Sequence, residues 1–190
     1  KVENFIVTTN TLTQGTSVQS ISEAYVYIDD QIAGVYHLPA IVPLNISGIH
    51  KVKIGVAVIE NAIASNMRYA YTYLNAFDTV IDFKVNGTAT VKPITSYRTT
   101  VKFAMIEDFE NPLPLIAKTS YNTIDTLLRD SLPQDNLEPG HCAFFNIDGY
   151  KVMEYATRNS YTLPSSTESE TFVEINYKSE LPLAIGLYIE

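Results

Sequence analysis

The sequence predicts an all-β protein, with a β-sandwich over residues 1–98 and a second, smaller β module over residues 99–190. Three observations carry that expectation. Apolar residues recur with period two in one stretch after another, the spacing of a strand with one face on a core. Dipeptides able to turn the chain back on itself separate several of these stretches. Only one segment allows helical spacing, and it lacks a wide apolar stripe.

The chain opens almost directly in a strand-like segment, Val2-Glu3-Asn4-Phe5-Ile6-Val7. The stretch "EAYVYIDDQIAGVYHLP", residues 23–39, places Ala24, Val26 and Ile28 on one face and Tyr25 and Tyr27 on the other. It turns at Asp29-Asp30-Gln31 and returns, which is a β-hairpin. Val52, Ile54, Val56 and Val58 then alternate with Lys51, Lys53, Gly55 and Ala57. "RYAYTY" sets Tyr69, Tyr71 and Tyr73 on a single face. Phe77, Thr79, Ile81, Phe83 and Val85 form the next apolar face, opposite Asp78, Asp82 and Lys84. Asn86-Gly87 follows, a dipeptide suited to the positive φ of a type I′ hairpin turn.

A seam falls at residues 96–100, after about seven strand-like segments, enough for a small sandwich. Beyond it, "VKFAMIEDFENPLPL" reads as a strand running into an acidic, proline-containing loop. Residues 119–132 read as a short helix or a loop. Asp148-Gly149 is a second type I′ signal, and Val173, Ile175 and Tyr177 alternate again. Leu181, Leu183, Ile185, Leu187 and Ile189 share one face of a last strand. The four or five strands of this half are about half the eight of a full jelly roll, so the expectation is a natural chain that continues beyond Glu190.

Bulk composition narrows the function classes. A chain of 190 residues with 46% hydrophobic and 18% charged residues is a folding sequence rather than a disordered one. Its net charge of −8 argues against nucleic acid and against an anionic membrane surface, both of which ask for a basic face. No apolar run approaches the roughly 20 residues of a membrane helix. Cys142 is the only cysteine, so neither an intrachain disulfide nor a multi-cysteine zinc site can form.

No catalytic residues are expected. There is no G-x-S-x-G elbow, and His141 and Cys142, adjacent on a strand, point to opposite faces. Cys142 reads as a small core residue beside Phe144. His37, His50 and His141 show no metal-ligand spacing, and the 8 glycines make no phosphate loop. Two clusters remain. Glu107, Asp108 and Glu110 supply alternating oxygens of the kind Ca²⁺ takes, as a structural ion and the one candidate cofactor. The weightier reading is a charged strand end that discourages edge pairing. The tyrosines, Tyr25 and Tyr27 with Tyr69, Tyr71 and Tyr73, offer flat plates with hydroxyls for a sugar ring or a protein partner. Ordinary cross-strand packing is again the weightier reading.

"SEAYVYIDDQIAGVYHLPAIVPL" and "GIHKVKIGVAVIENAIASNMRYAYTYLNAF" resemble a family of surface lipoproteins of Bacteroidetes-type bacteria. The likeness lies in Leu38-Pro39 closing a strand-turn-strand unit, the strand from Lys51 to Val58, and the Tyr69 to Tyr73 segment. "KFAMIEDFE" and "FVEINYKSELPLAIGLYIE" are similar to strands of a galactose-binding-like jelly roll. The resemblance implies an Ig- or prealbumin-like sandwich followed by a partial jelly roll. It also implies lipid anchoring to the cell envelope through a cysteine upstream of Lys1. The functional expectation is a non-enzymatic surface module for binding, adhesion or scaffolding, with an envelope protein or surface glycan as partner. A carbohydrate-binding module with a tyrosine platform is the alternative, and requires Tyr69, Tyr71 and Tyr73 exposed and coplanar. A glycan hydrolase stands far behind, because it needs converging carboxylates or a histidine in a pocket.

Overall fold

The computed structural model describes residues 1–59, 67–121, 127–132, 137, 140–146, 153–165 and 170–188. The fold is all-β and sandwich-like, and it divides into two units, Lys1–Phe103 and Ala104–Glu190.

The first unit grows from the hairpin of β2 (Glu23–Ile28) and β3 (Gln31–His37). Asp29 and Asp30 have φ of 49° and 63°, and Ile28 pairs with Gln31 across them. Two successive positive φ values make this a type I′ turn, whose twist matches that of the flanking strands. The register then slips at Ala33–Gly34, so that one β3 residue bulges out, Tyr25 faces Val35 and Glu23 faces His37. On its other edge β2 pairs with β4 (Gly48–Ile59), the longest strand. The far edge of β4 is shared: Gly48–Ile54 pairs with β6 (Phe77–Phe83), and Ala57–Ile59 pairs with β5 (Arg68–Ala70).

Between β5 and β6 the chain leaves this sheet for the second layer. Leu74 bridges Tyr97, the Asn75 amide donates to Ser96 O at 2.9 Å, and the buried Thr95 hydroxyl donates to Asn75 O at 2.6 Å. Here β7 (Ile94–Ser96) lies parallel to β1 (Ile6–Thr8), and Val2 bridges both Ala40 and Val91. A four-residue helix, α1 (Thr11–Gln14), caps on the Asn10 side chain and links β1 to the hairpin. The core is what these two layers enclose: Val2, Phe5 and Val7 from one, and Ala24, Val26, Val52, Ile54 and Val56 from the other. The alternation over 51–58 therefore marks the inner face of β4, with Lys51 and Lys53 outside.

The second unit contains, among the described residues, two antiparallel pairs. β8 (Ile116–Lys118) pairs with β11 (Tyr155–Thr157), and β9 (Leu128–Asp130) pairs with β10 (Cys142–Phe144).

Several expectations are corrected. Asn86-Gly87 does turn, with the Gly87 amide donating to Lys84 O at 2.9 Å, but only Asn86 has a positive φ and no hairpin results. With a single positive φ at the third position the turn is of type II character, which splays the chain away instead of returning it. Val85, expected on the core face, lies past the end of β6 and is 77% exposed. Of residues 119–132, Leu128–Asp130 is strand, and 122–126 lie outside the described residues, as does Asp148-Gly149. Val173, Ile175 and Tyr177, and the face from Leu181 to Leu187, carry no strand among the described residues and are exposed; Ile189 lies outside them. Alternation selects a face and not a partner, so it foretells a strand only where a sheet is there to receive it. Cys142 is half-buried in β10 rather than a core residue.

The type I′ turn is tied to β4 by Asp29. Its carboxylate accepts from the Lys51 amide at 2.9 Å and meets His50 Nδ1 at 2.6 Å, while His50 Nε2 lies 3.1 Å from Ser47 O. Both ring nitrogens thus face acceptors, an arrangement that suits the doubly protonated ring. The Asp29 bond, then the Ser47 carbonyl, raise the His50 pKa above its ordinary 6.5; His50, then the Lys51 amide, hold Asp29 below 3.8. The raised histidine contributes stability that is complete below pH 6.5 and lost as pH rises through its folded pKa. The lowered carboxylate contributes stability that is complete above pH 3.8 and lost as pH falls through its folded pKa. The urea midpoint of the parent should therefore exceed that of His50→Gln most between those values and by less at alkaline pH. A difference that stays constant from pH 5 to about pH 9 would show that the pair does not titrate this way.

Candidate functional site

Strand register builds the outer face of the five-stranded sheet. Since Ala24, Val26, Val52, Ile54 and Val56 point inward, their neighbours Glu23, Tyr25, Tyr27, Lys51, Lys53 and Gly55 must point out. Two rows cross the strands. One runs Val35, Tyr25, Gly55; the other runs Ile32, Tyr27, Lys53, Asp78. The Tyr25 and Tyr27 rings lie 6.5 Å apart with planes 28° from parallel, and the Tyr25 hydroxyl donates to Arg68 O at 2.7 Å. Gly55 leaves open space beside Tyr25, since even an added Cβ would meet nothing closer than 4.0 Å. Ile32 and Val80 stand exposed on the same face.

At one end of this face sits a buried carboxylate. Glu23 is only 2% exposed, with His37 Nδ1 at 2.9 Å and Arg68 Nε donating at 3.4 Å. A buried acid needs such partners to remain in place. Neither His37 nor Arg68 stood out in the sequence, because their approach to Glu23 depends on the β3 bulge and on β5 pairing with the far end of β4. Arg68 faces Ile59 there, on the side of the sheet that carries Glu23.

The other tyrosines do not form a platform. Tyr69 is opposite Val58 and is 45% exposed, while Tyr71, in line with it, is core at 8% exposure. Tyr73 is half-buried against the core, its ring 5.7 Å from that of Tyr71 and tilted by 58°. The alternation did place Tyr69 and Tyr71 on one face, but it is the inner one, and β5 ends at Ala70 before Tyr73. Tyr25 and Tyr27 are the expected tyrosines that share an outward face.

The acidic cluster is likewise not convergent. Glu107 accepts from the Phe109 amide at 2.7 Å and from the Leu115 amide, and Asp108 accepts from the Glu110 amide at 3.0 Å. Glu110 turns to His141, meeting Nδ1 at 2.8 Å and accepting from its amide at 2.7 Å; these bonds lower the Glu110 pKa below 4.5. Each carboxylate braces a different piece of backbone, and among the described residues no three His, Cys, Asp or Glu side chains gather as metal ligands. Comparison of the chain with protein-family models, curated proteins and solved structures returns no match.

Proposed function

We propose that this chain is a non-enzymatic binding module of the cell envelope, serving adhesion or scaffolding, and that it meets its partner on the outer face of the five-stranded sheet. The observation that supports this is the pair of rows through Tyr25 and Tyr27, in which rigid aromatic plates lie beside exposed Val35 and Ile32 on the outer face of the sheet. Aromatic anchors with aliphatic neighbours and a charged margin (here Lys53 and Asp78) are the composition of a protein-binding surface. An open sheet face suits a protein partner better than a small molecule, which asks for an enclosed pocket. The sugar reading is favoured by one feature, the near-parallel Tyr25 and Tyr27 rings beside open space at Gly55.

Beads displaying the chain should co-sediment with cell-envelope vesicles, and Tyr27→Ala combined with Ile32→Lys should reduce capture about tenfold while the fold is retained. Parent beads that sediment no better than bare beads would overturn the proposal. Protease treatment of the vesicles should abolish capture by a protein partner. Survival of capture, with loss to a soluble competing polysaccharide, would select the glycan instead.

A further inference from the structure

The second unit holds a cleft of about 380 Å³ along the β8–β11 pair. It is lined by the apolar Pro112, Pro114, Ile116 and Leu127 together with Lys118, Arg129, Arg158 and the ring of Tyr155. Three cations on one small cleft are unexpected in a chain of net charge −8. None of the described lining residues is acidic.

The two guanidinium groups are held in place by backbone. Arg129 donates from Nε to Phe109 O at 2.7 Å and from Nη2 to Glu110 O at 2.8 Å. Arg158 donates from Nε to Pro114 O at 2.7 Å, while its own amide donates to Leu115 O at 2.8 Å. These bonds fix each head yet leave further N–H groups: both terminal nitrogens of Arg158 and Nη1 of Arg129. Among the described residues, Glu107, Glu110 and Glu154 direct their hydrogen bonds elsewhere, although Glu110 also feels the charge of Arg129. Glu107 braces Phe109 and Leu115, Glu110 holds His141, and Glu154 accepts from the Tyr188 hydroxyl at 2.5 Å. The Tyr155 ring is steadied by Phe145, 5.1 Å away.

We propose that this cleft binds a carboxylate carried on a compact, partly apolar body, of which a hexuronic acid is the simplest example. A guanidinium fork matches a planar carboxylate with two parallel hydrogen bonds. The proline and isoleucine side chains and the tyrosine ring suit the C–H face of a sugar, which a bare inorganic anion would leave unused. The volume lies at the small end of ligand pockets, room for one ring rather than several. The site lies wholly in the second unit and stands independently of the sheet-face reading above.

Calorimetric titration of the full chain with sodium glucuronate at low ionic strength should show binding, with glucose at least about tenfold weaker and the affinity falling as salt is added. Arg158→Gln should weaken glucuronate about tenfold with the fold retained, and Arg158→Lys, which keeps the charge without the fork, should stay several-fold weaker than the parent. The Nε–Hε resonances of Arg129 and Arg158 in the parent should shift on titration, a readout that needs no variant. Equal affinity for glucose and glucuronate, an Arg158→Gln chain that binds as the parent does, or phosphate bound more tightly than glucuronate would each overturn the proposal.

Discussion

Ile54→Asp should leave the first unit without a cooperative unfolding transition. Ile54 is 0% exposed at the centre of β4, the strand that β2, β5 and β6 all pair with. Its inward cross-strand partners are Val26 and Phe77, so a carboxylate there meets hydrocarbon on both sides. Losing the buried side chain costs about 3 kcal/mol, as in other large-to-small core changes. Placing an unpartnered acid in that space adds several kcal/mol more, whether it ionises or stays protonated. The sum is comparable with the roughly 5–15 kcal/mol that holds a whole domain together. Circular dichroism and amide dispersion should report a collapsed or unfolded chain. Two controls bound the result. Ile54→Val should lower stability by about 1 kcal/mol, the cost of one buried methylene. Lys53→Ala, one residue away but facing out beside Asp78, should change it by less than about 0.5 kcal/mol. An Ile54→Asp chain that melts with the parent would show that β4 presents its other face to the core.

The contrast between Ile54 and Lys53 was legible in the sequence, because a strand with one buried face writes its own pattern locally. The hairpin of β2 and β3 was legible for the same reason. What the sequence did not display are the features that depend on two distant segments at once. Tyr69 and Tyr71 alternate as a surface row would, but only the pairing of β5 with Val58 and Ile59 reveals that their shared face is the inner one. Asn86-Gly87 carries the stronger turn dipeptide and makes no hairpin, while Asp29-Asp30 makes the type I′ turn, since it sits between strands that have a partner in each other. The carboxylates of Glu107, Asp108 and Glu110 offered alternating oxygens in one dimension, and in three they accept from the separate amides of Phe109, Leu115, Glu110 and His141. The buried Glu23 was hidden most completely, because it relies on a one-residue slip in β3. Without that slip Glu23 would face Tyr36, and His37 would fall out of reach.

That slip makes Gly34 the second position of large expected effect. Gly34 has φ of +152°, a conformation open to glycine and strained for residues with a Cβ. A Cβ built there would also lie 2.9 Å from the Tyr36 ring, closer than carbon atoms approach. The ring cannot swing away freely, since it packs against the core and its hydroxyl donates to Ala33 O at 3.1 Å. Tyr36 thus covers the glycine, filling the space a side chain would otherwise take. Gly34→Ala should therefore destabilise the first unit by about 2–4 kcal/mol, from backbone strain of about 1–3 kcal/mol plus displacement of the ring. A double-mutant cycle separates the two causes. In a Tyr36→Ala background the ring cost disappears and only the strain remains, so Gly34→Ala should cost about 1–2 kcal/mol less there. An identical cost in both backgrounds would remove the ring from the argument and leave the backbone alone. The bulge also aligns Glu23 with His37 and turns both Ile32 and Val35 outward beside the tyrosines. If the face binds as proposed, Gly34→Ala should weaken envelope capture under conditions where the unit is still folded. A folded Gly34→Ala chain with parent-like capture would mean that the bulge serves the sheet and not the face.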